Sequence, residues 1–129
     1  IIKHGGNRAF YVPSMDYIQL PELDQFKSSA DYYATSLHEL SHWTGHESRL
    51  NRDFSGRFGN EAYAFEELVA ELGSAMLCAH LKLDGQLQHS SYIASWLKVL
   101  KDDPKNILKA SAQAQKILNF TTNEEAVEA

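Results

Sequence analysis

The stretch Ser28-Ser29-Ala30-Asp31-Tyr32-Tyr33-Ala34-Thr35-Ser36-Leu37-His38-Glu39-Leu40-Ser41-His42-Trp43-Thr44-Gly45 decides how this chain is read. Ser28 and Asp31 have the spacing of a capping box, and Gly45 is a favoured residue just past a helix end, so a helix is expected from about Ser29 to Trp43. On such a helix His38 and His42 stand one turn apart on one face, where both imidazoles can reach a single metal ion. Glu39 sits at the edge of that face, close enough to take a proton from water activated by the ion without being a ligand.

Two histidines leave a metal site incomplete, because a catalytic site of this kind takes a third protein ligand and keeps one position open. A further histidine six residues beyond His42 would supply it in one known pattern, but Ser48 stands there. His46 comes too early for that pattern, and a structural or orienting role suits it better. The other source is a carboxylate on a following helix. In Phe65-Glu66-Glu67-Leu68-Val69-Ala70-Glu71, Glu67 and Glu71 are four apart and share a face. Either can ligate while the other orients a ligand histidine through its free ring nitrogen. Glu67 is taken as the ligand and Glu71 as the orienting group. Glu66, about a quarter-turn away, is expected to face solvent.

Outward from the motif, the chain reads as a small sheet followed by about four helices, an α+β domain. Gly5-Gly6-Asn7 signals a loop. Ala9–Val12 and Tyr17–Leu20 read as short strands joined through Pro13-Ser14-Met15-Asp16, a β-hairpin. A second helix is expected from about Glu61, capped by Asn60, to Leu81. A third runs from Ser90 or Ser91 to about Lys101. A fourth starts with Asp103 as N-cap and Pro104 at its first position, its apolar residues Ile107, Ala110, Ala114, Ile117 and Leu118 following helical spacing. Residues 121–129 read as an acidic tail. Trp43 and Trp96 fall in amphipathic helices as core residues.

The 129 residues amount to one domain, and the 43% apolar and 22% charged fractions suit a globular fold. A net charge of -5 argues against binding the phosphate backbone of nucleic acids, which needs an excess of Lys and Arg. The one cysteine, Cys78, cannot form an internal disulfide and lies in an apolar run, so it reads as an inert thiol in a reducing, cytoplasmic compartment. No apolar run is long enough to span a bilayer. The chain begins Ile1-Ile2-Lys3 rather than with Met, as expected for a piece of a longer protein.

With these stretches in view, the chain resembles the zincin-like metallopeptidase domain of ArdC-type antirestriction proteins and related polyvalent proteins of plasmids and phages. The resemblance runs through Asp31–His46, Ser48-Arg49-Leu50-Asn51-Arg52, Phe58–Leu72 and Ser91–Leu100, and covers roughly residues 8–120. It implies a zincin-like fold and a gluzincin-like site, in which one Zn2+ per chain is held by His38, His42 and Glu67. Glu67-Leu68-Val69-Ala70 is similar to the family's E-x-x-A element. The resemblance implies Glu39 as general base and a protein or peptide as substrate; a non-catalytic, metal-keeping inhibitor of a host partner is the alternative it leaves open. ArdC-type proteins also carry an N-terminal domain associated with single-stranded DNA, so no nucleic-acid role is expected of this segment. Oxyanion donors are open among Tyr63, His89, Tyr92 and Arg57. An extended substrate is expected to pair with the strand Tyr17–Leu20.

Overall fold

Ser28 opens the motif helix. Its backbone is extended (φ -154°, ψ 161°) and its hydroxyl accepts the Asp31 N–H at 3.1 Å, satisfying one of the amides left unpaired by the helix start. The helix, α1, spans Ser29–Trp43. It closes where the Thr44 N–H reaches Leu40 O at 3.0 Å and the Gly45 N–H reaches His42 O at 2.9 Å. In this computed structural model residues 1–54, 61–83, 98 and 101–123 are described.

Three short strands precede α1: β1 (Ile2–His4), β2 (Phe10–Val12) and β3 (Tyr17–Leu20), in the order β1-β3-β2. The expected hairpin is present, β2 antiparallel to β3 with Tyr11 opposite Ile18. Its turn closes through the Asp16 N–H to Val12 O at 2.7 Å, with Asp16 left-handed at φ 53°. β1 is an addition to the sequence reading and runs parallel to β3, Ile2 opposite Ile18. Gly5 ends β1 at φ 139°, a backbone angle that favours glycine, and donates its N–H to Leu20 O. The period-two alternation of β3 buries Ile18 and Leu20 against the helices.

The second helix, α2, spans Glu61–His80, and the third described one, α3, spans Asn106–Thr122. Asp103 and Pro104 form a turn just ahead of α3 instead of its cap and first residue: the Asp103 carboxylate accepts the Lys105 N–H and its carbonyl the Asn106 N–H. The helix also carries past the expected tail boundary, since Thr121 and Thr122 are helical, their hydroxyls donating to Ile117 O and Leu118 O. Asn123, left-handed at φ 59°, ends it. The helix expected from about Ser90 to Lys101, with Trp96, lies almost wholly outside the described residues, as do 124–129 of the tail. Trp43 is half-buried, its ring under the Arg49 guanidinium at 3.8 Å.

The core lies between α2 and α3. Ala64, Leu68, Val69 and Leu77 pack with Ala110 and Ile117, and Leu37 of α1 covers one side. Full burial of such branched side chains contributes about 1.5–3 kcal/mol each, and this is the main stabilising term of the domain. Gly73 marks where the three helices meet. A Cβ there would stand 2.9 Å from Ile117 Cδ1 and 3.2 Å from Ser41 Oγ, so α2 needs a residue without a side chain to lie this close to both neighbours.

Candidate metal centre

α1 and α2 lie side by side, and the groups that α1 turns toward α2 are two imidazoles. His38 and His42 are buried, their ring centroids 4.9 Å apart and their planes nearly perpendicular at 81°. Glu67 of α2 lies between them: His38 Nε2 is 3.1 Å from Glu67 Oε2, and His42 Nε2 is 3.2 Å from Glu67 Oε1. One ligand atom from each of the three falls within 4.8 Å of the others, and among the described residues this is the one such cluster.

A carboxylate stands beside each outer ring nitrogen as well. His38 Nδ1 lies 2.9 Å from Glu71 Oε2, the carboxylate one turn beyond Glu67. His42 Nδ1 lies 2.8 Å from Glu66 Oε2. Glu66 is therefore not the solvent-facing residue that the sequence spacing suggests; it is 6% exposed. The reason is Arg52, in the loop after α1. Its Nε donates to Glu66 Oε1 at 2.8 Å and its Nη2 to Glu66 Oε2 at 3.1 Å, which gives a buried carboxylate the partner it needs.

Electrostatics follow from this packing. Burial by itself would lower the pKa of His42, but the hydrogen bonds and charges of Glu66 and Glu67 outweigh it and push the group up to about 10. His38 is likewise raised, burial opposing and Glu67 and Glu71 prevailing. Burial would raise the Glu67 carboxyl, but its two histidine partners hold it well below the carboxylate range. Glu66 is lowered in the same way by His42 and Arg52. The carboxylates around the two rings thus favour positive charge at this site. Two imidazole nitrogens and a carboxylate converging on one point, each histidine with a further carboxylate beside its other nitrogen, are a donor set that fits one divalent ion.

Glu39 is 4% exposed and lines a cavity of about 260 Å³ together with His42 and Glu67. The other walls are mainly apolar and come from Phe10, Tyr11, Pro13, Phe54 and Tyr63. Of the four oxyanion-donor candidates, Tyr63 borders this cavity, while Arg57, His89 and Tyr92 lie outside the described residues. Tyr11 has no motif or spacing that could have marked it. Its hydroxyl donates to Asp16 at 2.7 Å, and Asp16 also pairs with Arg49. Burial, then the bond to Asp16, pushes the phenol up to about 12, so it stays protonated. His46 is away from the cluster and closes its own loop, Nδ1 accepting the Ser48 N–H. Cys78 is buried, and burial raises its thiol pKa.

The sequence pattern of the zincin-like metallopeptidase family matches residues 1–113. The chain belongs to that family. This zincin-like domain is 52% identical over 121 residues to a DNA primase TraC of Escherichia coli, a match covering 92% of the chain but 11% of the primase. It is 48% identical to protein y4eC of Sinorhizobium fredii (strain NBRC 101917 / NGR234), again over 92% of the chain and 39% of the relative. Among solved structures it resembles the antirestriction ArdC protein from the R388 plasmid at 47% identity. In its Mn(II)-bound form the TM-score is 0.85, covering 95% of this chain and 46% of ArdC. The metal-free form of ArdC gives 0.78. The zincin-like domain therefore spans about a tenth of the primase and under half of y4eC and ArdC. The ArdC resemblance and the α+β, zincin-like fold expected from the sequence both hold. No described helix is long and apolar enough to cross a membrane.

Proposed function

We propose that this domain is a metal-dependent peptidase in which His38, His42 and Glu67 hold one divalent ion and Glu39 is the general base. Zn2+ is the first choice for two imidazoles and a carboxylate, and the Mn(II) of the ArdC relative makes manganese the second. When bound, the ion supplies Lewis acidity to a peptide carbonyl and to water. The chain's own residues do the rest. Glu71 and Glu66 lie beside the Nδ1 atoms and so leave both Nε2 atoms, on the Glu67 side, as the ligand atoms. Glu39 accepts a proton from the attacking water and delivers it to the departing amine. Apolar side chains form much of the wall beside it.

The peptide cannot pair with Tyr17–Leu20 as first expected, because β3 is the central strand, bonded to β1 on one side and β2 on the other. The outer edge of β2 is unpaired among the described residues, and Phe10 and Tyr11 of that strand line the cavity. An extended substrate laid along β2 would gain main-chain hydrogen bonds beside Glu39. A lone buried thiol and the net charge of -5 suit a cytoplasmic domain with a protein or peptide partner and no direct hold on nucleic acid.

The observation that carries this reading is the Glu39 carboxylate sharing one cavity with His42 and Glu67. Glu39→Gln removes the base and keeps the shape, so the metal content should stay at one per chain while peptide cleavage falls by about 10²–10⁴-fold. Undiminished cleavage by this variant removes Glu39 from the role. A second reading draws on the antirestriction ArdC relative: the domain keeps its metal for shape and acts by binding a host partner. A metal-loaded parent that cleaves no peptide, with Glu39→Gln still protecting DNA from restriction in cells, would favour it.

A further inference from the structure

The loop after α1 folds back under the end of its own helix. Leu50 N–H donates to Thr44 O, Asn51 N–H to His46 O and Arg52 N–H to Gly45 O, with Asn51 left-handed at φ 54°. This return directs the Arg52 side chain inward, where it is 6% exposed. All three of its nitrogens donate there. Besides the two bonds to Glu66, Nη2 donates to Ser41 O at 2.6 Å and Nη1 to Thr44 Oγ1 at 3.1 Å. Gly45 makes the approach possible: a Cβ there would stand 2.8 Å from Arg52 Nη2 and 2.7 Å from Phe54 Cζ. Gly45, three residues past His42, thus has a local reason that needs no third histidine downstream.

We propose that Arg52 is a positioning residue of the metal site, acting through Glu66 on His42. The guanidinium pins both oxygens of the Glu66 carboxylate, so the carboxylate has one orientation. In that orientation Oε2 can only accept, which places a hydrogen on His42 Nδ1 and leaves Nε2 as the ligand atom. The charge of Arg52 also balances Glu66, which would otherwise be a buried anion pressing on the imidazole. A lysine cannot copy this, because a single ammonium does not fork across two oxygens while holding Ser41 O and Thr44 Oγ1. The ring of His38 has its own carboxylate, Glu71, so the relay concerns His42 alone. Phe54, two residues on, forms part of the cavity wall, so one loop sets both the ligand histidine and the wall beside it.

This inference rests on the metal reading above, and a double-mutant cycle separates the two. Co(II) is titrated into the full chain as parent, Arg52→Gln, Glu66→Gln and the double variant, followed by visible absorption, with melting of each metal-free form alongside. Arg52→Gln should weaken Co(II) binding by about 10–100-fold and shift the visible bands, the usual cost of losing a group that orients a ligand. The double variant should be no weaker than Glu66→Gln, since Arg52 acts through that residue. Arg52→Lys should recover part of the loss. If Arg52→Gln does not fold, Gly45→Ala displaces the guanidinium without deleting it and should weaken Co(II) binding in the same direction. Strictly additive losses, or lowered melting with unchanged Co(II) affinity and spectrum, would mean that Arg52 merely caps α1, and the relay falls. A parent that takes up no Co(II) overturns the metal reading and the relay together.

Discussion

The two sides of α2 do different work. Toward α1 it presents Glu66, Glu67 and Glu71 to two histidines and an arginine. Toward α3 it contributes Ala64, Leu68, Val69 and Leu77 to a cluster with Ala110 and Ile117. Apolar contact is undirected, and its stabilisation grows with the area removed from water. Buried ion pairs are directional, and their attraction is largely spent on desolvation, so they contribute little net stability while fixing where each atom lies. One helix therefore separates holding the fold together from arranging the ligands, and the two can be perturbed independently.

The largest expected effect is on the charged side. Glu67→Ala removes the carboxylate between the two Nε2 atoms, and metal should be lost from the purified protein by elemental analysis while the helices remain by circular dichroism. Metal retained at full stoichiometry would move the third-ligand role elsewhere, first to Glu71. The matching cut on the apolar side is Ile117→Ala. It should cost about 2–5 kcal/mol of unfolding free energy in a denaturant titration, the range for emptying a fully buried branched site. Metal stoichiometry in the surviving folded fraction should not change. Loss of metal at native stability would show that the two sides are not separate.

The smallest effect concerns pH. In the metal-free domain His42 is held at about 10 against an ordinary 6.5, so its contribution to stability is complete below 6.5 and fades as pH rises through 10. Glu67 is held below its ordinary 4.5, so its contribution is complete above 4.5 and is lost as pH falls. The metal-free site therefore adds most between about 4.5 and 6.5. A metal must displace the histidine protons, so binding should tighten with rising pH and release protons at neutrality. Calorimetric titrations in two buffers of different ionisation enthalpy measure that release. Identical heats in both buffers would show that the histidines are already neutral.

What the sequence made legible is what local spacing controls. The bounds of α1 follow from Ser28, Asp31 and Gly45, and the pairing of His38 with His42 follows from one helical turn. Glu67 and Glu71 were placed by the same argument, and the structure sets them 3.1 and 2.9 Å from the two nitrogens of His38. Glu66 was misread because a helical wheel assumes one buried face, whereas its burial depends on Arg52, fourteen residues earlier and in a loop. β1 was missed because a three-residue strand carries almost no periodicity, and its pairing partner lies beyond the intervening strand. The same omission made β3 look like an edge.

The open edge of β2 has a consequence for solution behaviour. A strand edge that can receive one extended chain can receive any other, including a second copy of itself, and such edges seed aggregation when long and flat. Here the exposure is limited to Phe10–Val12, and Pro13, which lacks an N–H, follows at once. Three residues suffice to register a short peptide but give a would-be fibril little to build on.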